Sequence, residues 1–359
     1  MKNKVAIIFG GKSAEFNISL ISASNISNAL DKKNTDFVLL GIDKMGKWFH
    51  NADYSTESID LTKIDFFKNA TQVFIDRIDN QICVVEKHNC KIIDTFNVVF
   101  SIIHGTFGED GTLQGFYKSL NIPFVGPDIL SSAICMDKEI AKRLLRDYKI
   151  PIANFISLRN NQLEKVSYEE AKEKLGLPMF VKPCNAGSSV GVNKVTDKNS
   201  FESAIEDAFK YDNKILIEEA IIGKEVECAI LGNENPKASV IGEIIPTKDF
   251  YSYDAKYNDL NGAKMKIPAE IDIEVATKLR ETAIEAFKAV GCEGLSRVDF
   301  FLKNDNTFVL NEINTLPGFT EISMYPKLWE KSGVPYSELI SILINLAFEK
   351  TLRDNKLRI

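Results

Sequence analysis

The sequence predicts a three-domain protein of mixed α/β and α+β class, with a parallel sheet in its N-terminal domain. The chain has 359 residues, more than one ordinary domain holds. It opens with a short apolar run, a Gly-Gly turn and a helical segment, which is how an α/β unit begins. Its later part alternates helical segments with runs typical of antiparallel strands. We expect the domains to span residues 1–127, 128–219 and 220–359.

The expected N-terminal domain contains four apolar runs typical of buried strands. The first, residues 4–9, is rich in β-branched side chains and precedes Gly10-Gly11, as a buried parallel strand often does. Residues 46–96 alternate weakly between polar and apolar, which indicates short antiparallel strands or an inserted hairpin. The other predicted elements are a helix at 17–30 and strands at 36–42, 96–103 and 122–126.

The rest of the chain is predicted to combine helices with antiparallel sheets. In the central domain we expect helices at 131–148, 168–175 and 200–209, an extended segment from 151, and strands at 179–182, 193–195 and 214–219. In the C-terminal domain we expect strands at 225–231 and 238–245, a helix at 273–290, a hairpin of 295–302 with 308–314, and a final helix at 336–353. The polar, aromatic segment 247–264 is longer than an ordinary loop and is predicted to be a lid.

Charge and cysteine content exclude several classes of protein. The net charge is −6, whereas a nucleic-acid-binding face needs an excess of basic residues. The six cysteines form no Cys-x-x-Cys pair, so neither a zinc site nor a thioredoxin-like motif is indicated. We find no signal peptide and no apolar run of membrane-spanning length. A reducing cytoplasm is the expected location.

The segment Gly10-Gly-Lys-Ser13 resembles the end of a phosphate-binding P-loop but does not satisfy that motif. A P-loop needs a glycine where Ala6 stands. The spacing of a dinucleotide-binding fingerprint is also missing. What remains is a tight strand-to-helix turn, which is either purely structural or able to bind a carboxylate or phosphate at the helix N-terminus.

Four polar side chains on the predicted late hairpin give the strongest indication of chemistry. Side chains alternate across a strand, so Arg297 and Asp299 share a face, as do Glu312 and Asn314. An antiparallel hairpin can bring those faces together. Three hard oxygen ligands beside a cation suit magnesium bound with substrate phosphates. The alternative is a solvated strand face with an incidental ion pair.

Two further segments have the composition of a nucleotide site. Gly187-Ser-Ser-Val-Gly191 suits a mobile loop that closes over phosphates with its backbone N–H groups. Nearby, Lys182 ends an apolar strand and needs an anionic partner. Glu218 and Glu219 end another strand, where carboxylates can accept hydrogen bonds from adenine or ribose. Each segment is also compatible with an ordinary turn or a charged strand end.

A histidine and the predicted lid are candidates for contact with a small molecule. His104 ends a predicted parallel strand, at the sheet edge where α/β domains place functional residues. The glycines that follow it indicate special backbone geometry. The lid contains Phe250, Tyr251, Tyr253 and Tyr257, whose rigid rings and polar tips suit closure over a site. The alternatives are a structural histidine and a loop that packs on its own side chains.

Taken together, these segments closely resemble the D-alanine–D-alanine ligase family of the ATP-grasp superfamily over essentially the whole chain. The motifs are Gly10-Gly-Lys-Ser-Ala-Glu15 with Ser19, His104-Gly with Gly108-Glu-Asp-Gly111, Met136-Asp-Lys138, Lys182-Pro, Gly187-Ser-Ser-Val-Gly191, Phe250-Tyr-Ser-Tyr-Asp-Ala-Lys-Tyr257, Ser296-Arg-Val-Asp299 and Asn311-Glu-Ile-Asn-Thr-Leu-Pro-Gly318. In this order they are very specific. The resemblance implies a three-domain ATP-grasp fold, of which the N-terminal domain contains the parallel sheet.

The resemblance also implies a reaction. The enzyme would join two D-alanines through a D-alanyl phosphate, for peptidoglycan precursor synthesis. It would use ATP and two magnesium ions, with manganese as a substitute. Its partners would be small-molecule substrates and a second copy of the chain. It would bind neither nucleic acid nor a membrane.

By the same resemblance, individual residues receive expected roles. Those expected at ATP are Lys138, Lys182, Ser188, Ser189, Glu218, Glu219, Ile221, Glu225 and Lys256. Those expected at the amino-acid substrates are Glu15, Ser19, His104, Arg297, Gly318, Ser323 and Met324. Those expected to bind magnesium are Asp299, Glu312 and Asn314. Arg297 and the Gly318 N–H would stabilise the tetrahedral transition state. Glu15, Ser188 and Tyr257 would form a hydrogen-bonded triad when the lid closes.

At three positions the residue differs from the one frequent in the family, and these differences leave the identity of the second substrate undetermined. The three residues are Phe16, Ser252 and Glu321. The alternative is a ligase of the vancomycin-resistance type that takes D-serine or D-lactate second. Tyr257 favours D-alanine over D-lactate but does not separate D-alanine from D-serine. A non-catalytic nucleotide-binding regulator is disfavoured, because a pure binder needs no complete set of metal ligands and arginine.

Overall fold

The strands of the described residues form three β-sheets. The structure, a computed structural model, describes residues 2–13, 15–54, 59–161, 166–246 and 263–358. A seven-stranded sheet comes first, a four-stranded sheet follows, and a five-stranded sheet lies nearest the C-terminus. The predicted mixture of α/β and α+β architecture is confirmed.

The first sheet is parallel at one end and antiparallel at the other. Strands β1 (Asn3–Gly10), β2 (Thr35–Ile42) and β7 (Val98–Ser101) are parallel, and helix α1 (Phe16–Ala29) connects β1 to β2. The antiparallel extension contains β3 (Trp48–His50), a 3₁₀ turn (Ala52–Tyr54), β4 (Thr71–Ile78), β5 (Gln81–Glu86) and β6 (Ile92–Phe96). The order is β6-β5-β4-β3-β2-β1-β7. Both the opening α/β unit and the antiparallel segment after it follow the prediction.

A one-residue link between β6 and β7 bends this sheet back on itself. β6 pairs with β5 at one end of the sheet, whereas β7 pairs with β1. At the link, the Asn97 N–H donates to the Lys4 carbonyl at 3.0 Å, and the Lys4 N–H donates to Asn97 Oδ1 at 2.8 Å. The Lys4 ammonium also contacts Asp94 on β6. The segment 92–101 therefore joins the antiparallel extension to the parallel core.

The strand predicted at 122–126 is wrong. Only an isolated bridge forms there, between Val99 and Phe124. Pro123 has no N–H to donate, and Gly126 has a φ of 106°, which ends the extended run. Helix α2 (Thr112–Ser119), which was not predicted, precedes this segment.

The helix predicted at 131–148 is instead two helices. They are α3 (Ile129–Met136) and α4 (Lys138–Asp147). Asp137 between them is extended, with φ −86° and ψ 95°, and its side chain accepts from the Ile140 N–H at 3.2 Å. An aspartate that caps the second helix cannot continue the first, because its backbone must leave the helical conformation.

The second sheet is antiparallel and is covered by two helices. Its elements in chain order are β8 (Phe155–Arg159), α5 (Tyr168–Leu175), β9 (Met179–Pro183), β10 (Asn193–Val195), α6 (Lys198–Ala208) and β11 (Lys214–Glu219). The strand order is β10-β9-β11-β8. Apolar residues of α5 and α6 pack on one face of this sheet. On its other face, Lys214 and Glu218 of β11 contact side chains of α4 and of its capping residue Asp137.

The third sheet contains the predicted hairpin. Its elements are β12 (Lys224–Gly232), β13 (Lys237–Pro246), β14 (Ala263–Lys266), α7 (Ile273–Ala289), β15 (Gly294–Leu302), β16 (Phe308–Asn314), α8 (Met324–Lys331) and α9 (Tyr336–Asp354). The order is β14-β13-β12-β15-β16. The antiparallel pairing of β15 with β16 confirms the hairpin. Of the predicted lid, residues 247–262 lie outside the described residues, and its last two residues belong to β14.

The first and third sheets share a hydrophobic core. Val5 and Ile7 of β1 belong to the same buried cluster as Leu339 and Leu343 of α9. The opposite side of the third sheet packs on α7 in a separate cluster. This shared core holds the start of α1 close to the β15–β16 hairpin. The division of the chain at 127 and 219 stays a prediction.

Candidate active site

A cavity of about 700 Å³ lies among the three sheets. This volume is typical of a small-molecule site. The predicted site residues that line it are Glu15, His104, Lys138, Ser188, Arg297, Glu312, Asn314, Gly318, Ser323 and Met324. The described ones that do not line it are Ser19, Lys182, Ser189, Glu218, Glu219, Ile221, Glu225 and Asp299. Tyr257 and Lys256 lie outside the described residues.

The β15–β16 hairpin brings its four polar residues together. Arg297 lies opposite Asn314, and Asp299 lies opposite Glu312. The Arg297 guanidinium binds both Asp299 oxygens, at 2.8 and 2.7 Å, and contacts Glu227 at 3.0 Å. Burial opposes the guanidinium charge, but Asp299 and Glu227 raise the pKa of Arg297 well above its ordinary value. Arg297 is thus a permanent cation in the cavity wall.

The hairpin offers oxygen ligands suited to magnesium. Asp299, Glu312 and Asn314 present carboxylate and amide oxygens, although Asp299 is also bound to Arg297 and the Asn314 oxygen accepts from the Leu316 N–H at 3.0 Å. In the part of the chain that the structure describes, no group of three His, Cys, Asp or Glu residues could hold a metal. A metal here would thus have few protein carboxylates. Magnesium tolerates this, since it takes one or two carboxylates plus phosphate oxygens and water.

Helix α4 presents a lysine to the cavity from its first turn. Lys138 Nζ donates to the Ala186 carbonyl at 2.7 Å and lies 3.8 Å from Glu312 Oε2. Its backbone N–H donates to the Cys184 carbonyl at 3.1 Å. Lys138 therefore links the loop after β9 to the third sheet.

A second lysine on α4, Lys142, was missed by the sequence analysis. It contacts Glu218 Oε1 at 2.5 Å, while Lys182 contacts Glu218 Oε2 at 2.5 Å. Burial works against the Glu218 charge, but the two ammonium groups hold the pKa of this carboxyl below its ordinary value. The missed signal was spacing: Lys138 and Lys142 are four residues apart and so share a face of any helix.

The loop after β9 has the backbone expected of an anion-binding turn. Ser188 and Ser189 have φ values of 53° and 60°, and Gly191 has 69°. Two consecutive left-handed serines are unusual, because that region favours glycine. Such conformations turn successive N–H groups toward one side. Ser188 lines the cavity, so the loop borders it directly.

The residues expected near adenosine lie at the passage from the second sheet to the third. Glu219 at the end of β11 accepts from the Asn154 N–H at 2.7 Å. Ile221 is half-buried between β11 and β12. Glu225 follows on β12, opposite Ile244 and Phe301. These three residues lie along one connection and outside the lining of the 700 Å³ cavity.

His104 and Glu15 meet at the edge of the first sheet. His104 Nδ1 lies 3.1 Å from the Leu316 carbonyl and 3.4 Å from Glu109 Oε1. Burial opposes protonation, but Glu109 and Glu15 raise the pKa of His104. Ser13 links the two candidates, since its Oγ donates to the His104 carbonyl and accepts from the Glu15 N–H. Glu109 is a cavity residue that the predicted site did not include.

Ser19 was expected to lie at the amino-acid substrates, but it does not line the cavity. Its Oγ accepts from the Gly10 N–H at 2.8 Å and donates to the Ile102 carbonyl at 2.5 Å, and the residue is fully buried. It therefore ties α1 to β1 and to the segment after β7. This contact shapes the turn in front of Glu15.

The turn before α8 also lines the cavity. Ser323 precedes α8, and its Oγ accepts from the Thr320 N–H at 3.0 Å. A Cβ on Gly318 would lie 2.7 Å from that Oγ, so a larger residue at 318 would displace the Ser323 hydroxyl. Glu321 also lines the cavity, whereas Phe16 packs away from it, against Phe67. Of the three departures, Ser252 lies outside the described residues.

The fold and site define an ATP-grasp protein, in which two antiparallel sheets flank a cleft rich in lysines and carboxylates. The model for the D-ala D-ala ligase N-terminus matches residues 4–127, and that for the D-ala D-ala ligase C-terminus matches residues 144–345. The chain therefore belongs to the D-alanine–D-alanine ligase family, and the predicted resemblance is confirmed.

Individual proteins that are similar to this chain belong to the same family. The D-alanine–D-alanine ligase of Oceanobacillus iheyensis is 53% identical and covers 100% of this chain and 98% of its own length. The VanG D-Ala:D-Ser ligase of Enterococcus faecalis is 36% identical with a TM-score of 0.87, over 97% and 100% of the two chains. A D-alanine–D-alanine ligase of Bacillus anthracis complexed with ATP is 28% identical with a TM-score of 0.73, over 98% and 99%.

Proposed function

We propose that the protein joins two D-alanines in an ATP-dependent reaction that passes through a D-alanyl phosphate. The observation that carries this proposal is the convergence of a permanent cation, a lysine and a carboxylate hairpin on one cavity that Glu15 and the turn at 318–324 also line. A carboxylate joins an amine only after it acquires a better leaving group, which phosphoryl transfer supplies. Phosphoryl transfer needs mainly positioning and neutralisation of charge.

Lysines and the serine loop would bind the triphosphate. Lys138 lies beside the loop carbonyl of Ala186, and Ser188 borders the same space. Lys182, with Ser189, would complete the phosphate contacts, and Lys256 of the predicted lid would join them. The residues proposed for the adenosine are Glu218, Glu219, Ile221 and Glu225.

Asp299, Glu312 and Asn314 would hold two magnesium ions, with manganese as a substitute. Their hard oxygen donors fit this ion. When bound, magnesium would neutralise charge on the phosphates. Asp299 is held in place by the Arg297 fork and Glu312 lies within 3.8 Å of Lys138, so the chain itself orients both carboxylates.

The other cavity residues would bind the two amino acids. Glu15 would orient the ammonium of the first D-alanine, with Ser19 supporting the turn in front of it and His104 nearby. Ser323 and the Met324 N–H would take the carboxylate of the second. Arg297 and the Gly318 N–H would stabilise the oxyanion of the tetrahedral transition state. Tyr257 would join Glu15 and Ser188 and exclude water from the acyl phosphate.

D-Serine is the second candidate for the amine substrate. The observation that favours it is the likeness to the VanG D-Ala:D-Ser ligase. The 53% identity to a D-alanine–D-alanine ligase over the whole chain favours D-alanine. D-Lactate, the other alternative, would need a site that accepts a hydroxyl nucleophile.

We further propose a cytoplasmic homodimer that supplies peptidoglycan precursors and is built of the three domains 1–127, 128–219 and 220–359. Among the described residues, no helix is long and apolar enough to cross a membrane. Size-exclusion chromatography with light scattering tests the dimer, since a single species of monomer mass would contradict it.

A product assay tests the reaction. Purified protein receives ATP, magnesium and D-alanine, with D-serine or D-lactate in competition, and products are measured by mass spectrometry. We expect D-alanyl-D-alanine with one ADP per dipeptide. A predominance of the D-serine or D-lactate product would favour the resistance-type alternative. ADP formation independent of D-alanine, without dipeptide, would refute ligase activity.

A further inference from the structure

Lys142 is a buried cation without an assigned role. Its residue is only 1% exposed, and it projects from the second turn of α4, one turn beyond Lys138. Burial and the nearby Lys182 lower the pKa of Lys142, and Glu218 opposes this effect. A buried ammonium is retained only where it is well paired, because its desolvation is costly.

The pairing of Lys142 is shared. Glu218 receives Lys142 on Oε1 and Lys182 on Oε2, each at 2.5 Å. Lys182 and Glu218 are diagonal neighbours on β9 and β11, because Lys182 pairs with Leu216. Two cations therefore contact one carboxylate. Glu312 of the third sheet adds a further favourable interaction with both lysines.

The two lysines differ in their access to the cleft. The side chain of Lys182 is 10% exposed, whereas that of Lys142 is 2% exposed. Lys182 would therefore be the one that turns toward an anion arriving in the cleft. If Glu218 had only Lys182 as a partner, this movement would leave a buried, unpaired carboxylate, which is strongly unfavourable.

We propose that Lys142 is a positioning residue that keeps Glu218 neutralised and thereby releases Lys182 to bind the phosphates of a nucleoside triphosphate. This inference rests on the proposed ATP-dependent function. With Lys142 present, Lys182 exchanges one anionic partner for another while the Lys142–Glu218 ion pair stays intact. Glu218 also stays at a fixed place on β11, where its freed oxygen can accept from the base.

The test is the Lys142→Met variant, which keeps the length of the side chain and removes its charge. Because Lys182 then becomes the sole ion-pair partner of Glu218 among the described residues, we expect the KM for ATP to rise by about tenfold or more, with the KM for D-alanine within about twofold of wild type. Titration calorimetry with the non-hydrolysable analogue AMP-PNP should show the same loss of affinity. Lys142→Arg, which keeps the charge, should restore most of it.

Lys350→Met is the matched control. Lys350 is also a buried lysine, 3% exposed, but it contacts the Gly126 carbonyl and not the cleft. If both Met variants lower the melting temperature and only Lys142→Met raises the KM for ATP, the role is specific. An equal rise in both variants would overturn the proposal, since general loosening would then explain it.

A double-mutant cycle with Glu218→Gln keeps the test decisive if Lys142→Met folds poorly. In the Gln background no carboxylate needs neutralising, so adding Lys142→Met should change the KM for ATP by less than about twofold. A tenfold effect in both backgrounds would refute the counter-ion role. Failure of the proposed function is distinguishable, because wild-type protein would then form no dipeptide.

Discussion

Among single residues, Arg297 is held in place by several charged neighbours at once. Its guanidinium is held by Asp299 and Glu227, and it faces the same cavity as Gly318. A planar fork matched to a carboxylate in this way is rigid before any substrate arrives. Such preorganisation allows a cation to stabilise developing charge without first reorganising.

Replacing Arg297 tests that role. We expect Arg297→Ala to lower kcat/KM by an amount equivalent to about 2.7–4 kcal/mol, as loss of an oxyanion donor does. Steady-state kinetics of dipeptide formation measure this. Arg297→Lys is the control, since it retains charge without the fork and should be intermediate. Near-normal kcat in Arg297→Ala would refute the assignment.

The sequence predicted polar residues on strands better than those on helices. Alternation placed Arg297 and Asp299 on one face and Glu312 and Asn314 on the other strand's matching face, and the pairing register agrees. Lys142 was not predicted, because the inward face of α4 depends on how that helix packs on the second sheet. The Ser19 contacts likewise depend on segments that lie far apart in the sequence.

At the scale of elements, the break between α3 and α4 positions the cavity lysine. Asp137 caps α4 and also binds Lys214 of β11 through both oxygens, at 2.7 and 2.6 Å. Glu139, two residues further on, contacts the same lysine at 2.8 Å. This ion network attaches the first turn of α4, which contains Lys138, to the second sheet.

Removing the cap should loosen that turn. For Asp137→Ala we expect the free energy of unfolding to fall by about 1–3 kcal/mol, because the cap is lost and Lys214 loses one of its two carboxylates. Urea denaturation measures this. Asp137→Asn keeps a capping oxygen and should lose less. A variant as stable as wild type would show that the network contributes nothing.

Element boundaries were predictable where local chemistry sets them. The opening strand, the hairpin and the last helix agree with the prediction to within a residue or two. The break between α3 and α4 was not predicted, since a single aspartate in a helix-favouring run is a weak signal unless its capping partners are known. The prediction of a short strand at 122–126 was wrong because Pro123 and Gly126 limit backbone pairing there.

At the scale of the whole molecule, Lys350 of α9 connects distant parts of the chain. It donates to the Gly126 carbonyl at 2.7 Å and lies over the Phe124 ring, 3.9 Å from the ring centre. Asp128, Glu293, Lys118 and Asp354 surround it. Burial lowers the pKa of Lys350 to about 8, with those carboxylates opposing the shift.

This lowered pKa predicts a specific pH dependence of stability. Between about pH 8 and about pH 10.4, the unfolded chain keeps a proton on Lys350 that the folded chain has lost, so stability rises with pH. From about pH 7 to about pH 9.5, wild type should gain about 2 kcal/mol relative to Lys350→Met. Denaturation curves at both pH values measure this difference. No change in the difference would contradict the lowered pKa.

The one-residue link at Asn97 has a consequence for how the sheet can exchange strands with other molecules. Exposed sheet edges recruit strands from other molecules and thereby start aggregation. Here β6 and β7 follow each other almost without interruption and bind opposite ends of one sheet, with the Lys4–Asp94 contact beside the seam. The two terminal strands of the sheet are therefore tied together by a single residue, so neither can shift its register without moving the other. Exchange of β6 or β7 for a strand of another molecule is thus opposed in the folded protein, because either exchange would also strain the opposite end of the sheet.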